Sequence, residues 1–202
     1  MMATVYRPGA SRVLAGAIIA IGALGLVALT WDEGVAGLLR YGWWIVLPAV
    51  LAWAVFWNPR IEVDNSGVLL VNVFRSIQLP WPAIQAVDTK WALKLVTAYG
   101  SYSAWAAPAP GRHGSRQVSE TELAHLPQSS LSAEGTLRAG DSVNTPSGQA
   151  ALAIRQHWQA LRDAGHLDNP RLEFDRPPVR WHLTTIAVLA GVTLLGAAGL
   201  VL

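Results

Sequence analysis

The chain has 202 residues, of which 52% are hydrophobic and only 14% are charged, against roughly 25% charged residues in a soluble domain. All but three of its 15 Lys and Arg residues and all but two of its 13 Asp and Glu residues lie within residues 58–182. These cations are not clustered as a nucleic-acid-binding domain requires, so we expect no nucleic-acid partner. Because the chain has no Cys, it forms no disulfide, thiolate nucleophile or zinc–sulfur site.

Three stretches carry no charged residue, namely residues 13–31, 41–57 and 183–202. About 20 apolar residues are needed for a helix to cross a hydrocarbon core of roughly 30 Å. The second stretch is short for this purpose unless it is extended to 38–57, with Arg40 reaching toward the interface. The pattern therefore predicts three transmembrane helices, at 13–31, 38–57 and 183–202.

The orientation of these helices follows from the bias of Lys and Arg near their ends. The tail 1–12 carries Arg7 and Arg12 and no acid, whereas the connection from Asp32 to Arg40 carries one Arg beside two acids. This predicts a cytoplasmic tail and a cytoplasmic domain at 58–182, in a multi-pass protein of the cell (inner, cytoplasmic) membrane. Apart from Arg40 near the start of the second span, no Asp, Glu, Lys, Arg or His lies inside the spans, which favours an anchor embedded in membrane lipids over a transport path.

The block after residue 57 has the composition of a small β-rich domain. Alternating and β-branched runs predict strands over residues 61–64, 68–74, 76–81, 91–97 and 102–106, with a turn or helical corner at 82–87. Alternation places Ile77, Leu79 and Trp81 on one side of a strand, and Trp91, Leu93 and Leu95 inward on another. We interpret Trp81, Trp91, Trp105 and Trp158 as core residues and not as a ligand cage.

Residues 108–147 are rich in Gly, Pro and Ser and are predicted to form a long flexible loop. A helix follows, with Thr145 as N-cap and Pro146 at its first position, and Gly165 fits its C-terminal cap. Ile154, Trp158 and Leu161 recur at helical spacing and make an apolar stripe. Residues 166–182 are predicted to be a linker.

One family resemblance rests on four short segments. They are Arg60-Ile61-Glu62-Val63-Asp64, Gly67-Val68, Leu79-Pro80-Trp81 leading into Ile84 and Val87, and Trp105-Ala106-Ala107-Pro108-Ala109-Pro110-Gly111-Arg112. Residues 58–165 thereby resemble the bacterial pleckstrin-homology-like (PH-like) domains, and most of all the PH domain-containing membrane proteins of actinobacteria, of the low molecular weight protein antigen 6-like type. The resemblance implies a bent seven-stranded barrel with a C-terminal helix, and no enzymatic activity.

The predicted fold class is therefore a membrane-anchored α+β protein. It has three transmembrane helices and a PH-like bent β-barrel capped by one amphipathic helix through Ile154, Trp158 and Leu161. Eukaryotic PH domains that bind phosphoinositides carry cations around the first hairpin, whereas the turn Asp64–Gly67 carries none here. We expect no phosphoinositide binding by that route.

Residues 89–119 contain four cations and no acid: Lys90, Lys94, Arg112 and Arg116. They form either a solvated face or a surface for an anionic leaflet or an acidic partner. The leading hypothesis is a protein-interaction adaptor at the membrane, which binds a protein partner or a peptide along a sheet edge. The alternative is a sensor of anionic lipid surface. The identity of the partner and the oligomeric state stay open.

We expect no catalytic residue, no metal and no cofactor. The five His residues are scattered along the chain, and the sequence lacks the Gly-x-Ser-x-Gly, Walker and Gly-x-Gly-x-x-Gly motifs.

Overall fold

The computed structural model describes residues 4–109, 141–142, 145–167, 172 and 174–201. The chain divides into two compact units, which are described separately. The first comprises Met1–Arg7, Arg60–Asn72 and Ser76–Arg180, and the second comprises Pro8–Pro59, Val73–Arg75 and Trp181–Leu202.

The first unit is built from strands and one helix. In chain order the strands are β1 (Thr4–Tyr6), β2 (Arg60–Val63), β3 (Gly67–Val71), β4 (Arg75–Pro80), β5 (Ile84–Asp88), β6 (Ala92–Thr97), β7 (Gly100–Pro108) and β8 (Val179–Trp181). They form a five-stranded sheet in the order β1-β2-β3-β4-β8 and a three-stranded sheet in the order β5-β6-β7. We number the long N-terminal helix of the second unit α1, so the helix of this unit, Pro146–Asp163, is α2.

The core lies between the sheets and α2. Ile77 and Leu79 are buried on one side of β4 and Trp81 is buried directly after it, as the alternation predicts, and Leu93 and Leu95 are buried on β6. From α2, Ile154 is fully buried in the same cluster, and the partly buried Trp158 and Leu161 pack against it. Fully burying a large apolar side chain stabilises a domain by about 1.5–3 kcal/mol, so Ile154 holds α2 on the sheets.

The strand pattern differs from the prediction at three places. Residues 84–88 form β5, and only Trp81–Ala83 form a helical corner, a single 3₁₀ turn. β1 lies within the predicted tail 1–12 and β8 within the predicted linker 166–182. Because β1 and β8 have three residues each, they are too short to show a period in the sequence, and only pairing with a neighbour makes them strands. Among the described residues there are thus eight strands in two sheets, six of them within residues 58–165, where a seven-stranded barrel was expected.

Two of the four Trp residues predicted as core are on the surface. Trp91 is 81% exposed and Trp105 is 57% exposed, whereas Trp81 is 2% exposed. Trp91 precedes β6, at a bend where the Asp88 carboxylate accepts a hydrogen bond from the Lys90 amide, so the alternation of β6 does not extend to it. Trp105 lies between the buried Ala104 and Ala106 of β7, so the small side chains face the core and the indole faces out.

The second unit begins with α1 (Gly9–Ala52), which continues as a π-helical turn over Trp53–Trp57. Gly34 interrupts the helix with φ 65° and ψ −160°, a conformation that glycine adopts without steric cost. A Cβ built on Gly22 would lie 3.8 Å from the Ala49 side chain, so the two halves of α1 pack side by side. The predicted connection from Asp32 to Arg40 is therefore helical on both sides of a one-residue break.

A third helix, α3 (Leu183–Gly199), packs against the second half of α1 in the same unit. A Cβ on Gly196 would lie 3.2 Å from the Trp44 ring, and a Cβ on Gly199 would lie 2.6 Å from the Arg40 carbonyl oxygen. Small residues of this kind allow apolar helices to approach closely.

In the part of the chain that the structure describes, one helix, Gly9–Trp57, is long and apolar enough to cross a membrane, and only 6% of its most apolar 18-residue window is buried. α3 is apolar but has 17 residues, shorter than the roughly 20 that a spanning helix usually has. The three predicted transmembrane helices are thus not confirmed, and the established feature is one N-terminal helix that could span a membrane.

Candidate functional site

The first candidate is a surface that we call the aromatic–basic surface, formed by Lys90, Trp91, Lys94 and Trp105. Lys94 lies on β6 directly opposite Ser103 of β7, on the face that points away from the core. Trp105 follows Ser103 by two residues and is exposed on that same face. Lys90 and Trp91 lead into β6. Lys94 and Trp105 therefore lie on the outer face of the three-stranded sheet, and the exposed Lys90 and Trp91 lie at the bend that leads into β6.

The backbone holds both indoles of this surface in place. The Trp105 amide donates to Asn72 Oδ1 at 2.8 Å, and Asn72 Nδ2 donates to the Ser103 carbonyl at 3.0 Å. The Trp91 carbonyl accepts a hydrogen bond from the Ala109 amide at 3.1 Å. Asn72 thus acts like a short piece of strand beside β7, and the backbone at both Trp91 and Trp105 is held by hydrogen bonds within the folded domain.

The charge of the aromatic–basic surface is positive overall. Lys90 Nζ lies 5.9 Å from the centroid of the Trp91 ring, within the range of a cation–π contact. Asp88 lies opposite Lys94 in the pairing of β5 with β6, so one carboxylate adjoins the two lysines. Of the four basic residues predicted from the sequence, Lys90 and Lys94 belong to this surface, whereas Arg112 and Arg116 lie outside the described residues.

The second candidate is a groove between β1, the turn after β2, and α2. We call it the tail groove. Its cavity volume is about 370 Å³, and its lining residues are Thr4, Tyr6, Val63, Asp64, Asn65, Ala153, Gln156, His157 and Ala160. The phenol of Tyr6 is half-buried beside it, and this desolvation raises the pKa of Tyr6 above its ordinary value.

Asp64 organises the turn at one end of the tail groove. Its Oδ1 accepts hydrogen bonds from the Ser66 amide at 2.8 Å, the Ser66 hydroxyl at 2.5 Å and the Gly67 amide at 3.0 Å. Burial alone would raise the pKa of Asp64, but these hydrogen bonds and the nearby His157 outweigh it, so the pKa lies below its ordinary value. The Asp64 side chain is therefore an anion committed to the turn.

His157 is the residue of the tail groove that sequence reasoning missed. Its ring packs against Trp81 with centroids 4.6 Å apart and the ring planes tilted by 36°, and Trp81 Nε1 donates to the Asp64 carbonyl at 2.9 Å. His157 Nε2 is buried and has no hydrogen-bond partner among the residues that the structure describes. In the sequence, His157 is one of five scattered His residues, and no local spacing connects it with Asp64 or Trp81.

Metal-ligand chemistry has no candidate in the described part of the chain, where no group of three or more His, Cys, Asp or Glu side chains could hold an ion. The two candidate surfaces therefore offer contacts: exposed indoles and cations on one, and a strand edge with a polar groove on the other.

Residues 58–140 match the family model described as "Bacterial PH domain". The match covers β2 to β7 and supports a PH-like domain, in agreement with the two sheets found there. No curated protein and no solved structure matches the chain. A PH domain suggests a module for protein or lipid interaction, and it is compatible with membrane association.

Proposed function

We propose that this PH-like domain protein is a non-enzymatic, membrane-anchored module whose aromatic–basic surface binds an anionic bilayer. The observation that carries the proposal is the exposure of Trp91 and Trp105 beside Lys90 and Lys94. Indole rings favour the headgroup level of a bilayer. Each cation near an anionic leaflet contributes about 1 kcal/mol. An indole that is exposed to water lacks the stabilisation that burial would give. The exposure of these two indoles therefore favours a binding role.

Anchoring makes such a weak surface effective. Two lysines supply only about 2 kcal/mol, which corresponds to millimolar or weaker binding for a free domain. The sequence joins α1 to β2 through Asn58 and Pro59 alone. Because the tether is short, the contact between the domain and the bilayer becomes intramolecular. The high effective concentration of the bilayer surface then compensates for the weak affinity of the free domain.

The pairing of β1 with β2 supports a helical hairpin as the anchor. β1 precedes α1 and β2 follows it, yet the two strands are antiparallel neighbours in one sheet. Both ends of α1 must then lie on the same side of a membrane, so α1 crosses an even number of times. The break at Gly34 divides it into residues 9–33 and 35–57, and at 1.5 Å per residue each part is long enough for a core of roughly 30 Å. We propose these two spans, with α3 as the third and with the PH-like domain in the cytoplasm.

The hairpin anchor predicts a labelling pattern. The chain has no Cys, so single substitutions Thr4→Cys, Asp32→Cys and Asn65→Cys report one position each to a membrane-impermeant maleimide. In sealed cells we expect labelling of Asp32→Cys only, with Thr4→Cys and Asn65→Cys labelled after permeabilisation. The unsubstituted chain is the control for background. Labelling of positions 4 and 65 from opposite sides would contradict both the hairpin and the β1–β2 pairing in the membrane.

The aromatic–basic surface predicts a lipid-dependent signal in the full chain. We expect an environment-sensitive dye on Ser103→Cys, reconstituted in nanodiscs, to shift to the blue in anionic lipid relative to neutral lipid, and less at high salt. The double change Lys90→Gln/Lys94→Gln should lower the equilibrium constant for docking of the domain on the bilayer by roughly 30-fold, which corresponds to about 2 kcal/mol. The same dye on Asn65→Cys is the positional control.

Identical spectra in both lipids, unchanged by the lysine substitutions, would rule out the bilayer as the ligand of this surface.

A protein-interaction adaptor is the second candidate function. It is favoured by β1, a segment from before α1 that adds to the edge of the domain's sheet as a separate strand. Strand addition of this kind is a common mode of peptide recognition.

A further inference from the structure

β1 is a short strand that the domain holds weakly. Thr4, Val5 and Tyr6 pair with Val63, Glu62 and Ile61 of β2, and beyond these three residues the chain enters α1 through Arg7 and Pro8. Thr4 and Val5 are exposed, and of the three residues only Tyr6 packs partly against the core. Edge strands with few buried contacts open at low free-energy cost. We expect β1 to exchange between paired and released states in the folded protein.

Release of β1 would leave a site of defined chemistry. The edge of β2 would present the backbone donors and acceptors that now pair with Thr4–Tyr6, which an extended peptide satisfies. The tail groove runs alongside this edge, with Val63, Ala153 and Ala160 as its apolar part. The place of Tyr6 suits an aromatic side chain, because the Tyr6 ring already packs there against the core.

The polar groups of the groove select for a hydrogen-bonding side chain in the ligand. Asp64 Oδ1 accepts the hydrogen bonds of the turn, whereas His157 Nε2 is buried without a partner in the part of the chain that the structure describes. A buried nitrogen without a partner costs about 1–3 kcal/mol. Gln156 and Asn65 line the same groove and can donate or accept hydrogen bonds. A ligand segment with only apolar side chains would leave these polar groups without hydrogen-bond partners.

We propose that the edge of β2 and the tail groove together form a binding site for an extended segment of a partner protein, which β1 occupies until the partner displaces it. The segment has a β-branched residue and an aromatic residue in the register of Val5 and Tyr6, with a polar side chain nearby. β1 itself is the evidence for the mode of binding, because it is a strand from before α1, distant in sequence from β2, seated on this edge. The inference gives the adaptor function its site and shares no residue with the aromatic–basic surface.

The test uses the full chain in neutral nanodiscs and a fluorescent peptide with the sequence of residues 1–7 as the probe. Fluorescence anisotropy should show that a variant lacking residues 2–6 binds the peptide at least roughly 10-fold more tightly than the intact chain, whose own tail competes at high effective concentration. A peptide with Tyr→Ala at its sixth position should bind the deletion variant at least about 10-fold more weakly. A folded deletion variant that binds neither peptide would overturn the proposal.

If the deletion destabilises the domain, a reversible disulfide between β1 and β2 provides a second test. Val5 and Glu62 are directly opposite each other, a separation that a disulfide can bridge, and the chain has no other Cys. With Tyr6→Ala loosening the tail, the variant Val5→Cys/Glu62→Cys should bind the unchanged peptide when reduced and lose that binding when oxidised. Binding that is equal in the two states would overturn the proposal, as would disulfides that join two copies of the chain, since β1 would then serve self-association.

These outcomes are independent of the lipid measurement. Lys90→Gln/Lys94→Gln should leave peptide binding unchanged, so a failure of the peptide site and a failure of the bilayer surface are recorded by different variants.

Discussion

Arg155→Met is expected to lower the free energy of unfolding by about 3–5 kcal/mol, because it leaves the buried Asp141 carboxylate without its ion-pair partner. Arg155 Nη1 lies 2.7 Å from Asp141 Oδ1, and the two side chains are only 9% and 2% exposed. Arg155 Nη2 also donates to the Val87 carbonyl at 3.0 Å, so the guanidinium joins α2 to β5 as well as to residue 141. Chemical unfolding of the full chain in detergent, followed by Trp fluorescence, measures the loss.

The matched control for this loss is Arg162→Met, on the same helix. Arg162 is exposed, with its guanidinium 4.9 Å from the centroid of the Trp158 ring, and its loss should cost no more than about 1 kcal/mol. Removing both charges with Asp141→Leu/Arg155→Met should restore part of the stability lost in Arg155→Met, since no uncompensated charge stays buried. A double variant as unstable as the sum of the single variants would show that the two side chains do not act as a pair.

The ion pair also changes the interpretation of the segment before α2. The sequence predicted one long loop over residues 108–147, a range that includes Asp141. The structure buries Asp141 and Ser142 against the start of α2, while residues 110–140 lie outside the described residues. Asp141 and Arg155 are 14 positions apart in the sequence, a spacing at which no helical or strand pattern pairs them. Charge patterning therefore gave no sign of the contact.

The ends of α2, in contrast, follow from local chemistry and were predictable. Thr145 Oγ1 accepts a hydrogen bond from the Gly148 amide at 3.0 Å, and Pro146 occupies the first helical position. Gly165 has φ 74°, and the His166 amide donates to the Leu161 carbonyl across it. Caps of this kind depend on residues within five positions of each other, so the sequence alone specifies them.

The candidate sites depend on contacts that the sequence does not encode locally. The exposure of Trp105 follows from Ala104 and Ala106 facing the core, and an aromatic residue in an apolar strand gives no indication of which face it takes when both faces contain hydrophobic residues. The tail groove requires that residues 4–6 pair with β2 across the whole of α1. Hydrophobic burial predicted the interior of the domain, whereas the two candidate surfaces come from exceptions to burial and from pairing over long sequence distances.

Gly148→Ala is expected to destabilise the domain by about 1–3 kcal/mol, although Ala is the better helix former by about 1 kcal/mol at an ordinary position. A Cβ on Gly148 would collide with the backbone carbonyl of Ser142, which lies against the first turn of α2. The same carbonyl accepts hydrogen bonds from the Thr145 amide at 2.9 Å and the Thr145 hydroxyl at 2.7 Å, so it cannot withdraw without breaking the cap. The melting temperature of the full chain in detergent records the change, and the exposed neighbour Gln149→Ala is the control.

The close approach at Gly148 and the ion pair at Arg155 serve the same contact, the seating of residues 141–142 on α2. Once Arg155→Met has released that segment, a methyl group at position 148 has little left to displace. The double variant Gly148→Ala/Arg155→Met should therefore lose clearly less stability than the sum of the two single variants, with a coupling on the order of 1 kcal/mol. Strict additivity would mean that the methyl group disturbs the helix itself, and that residues 141–142 are not what makes glycine necessary at position 148.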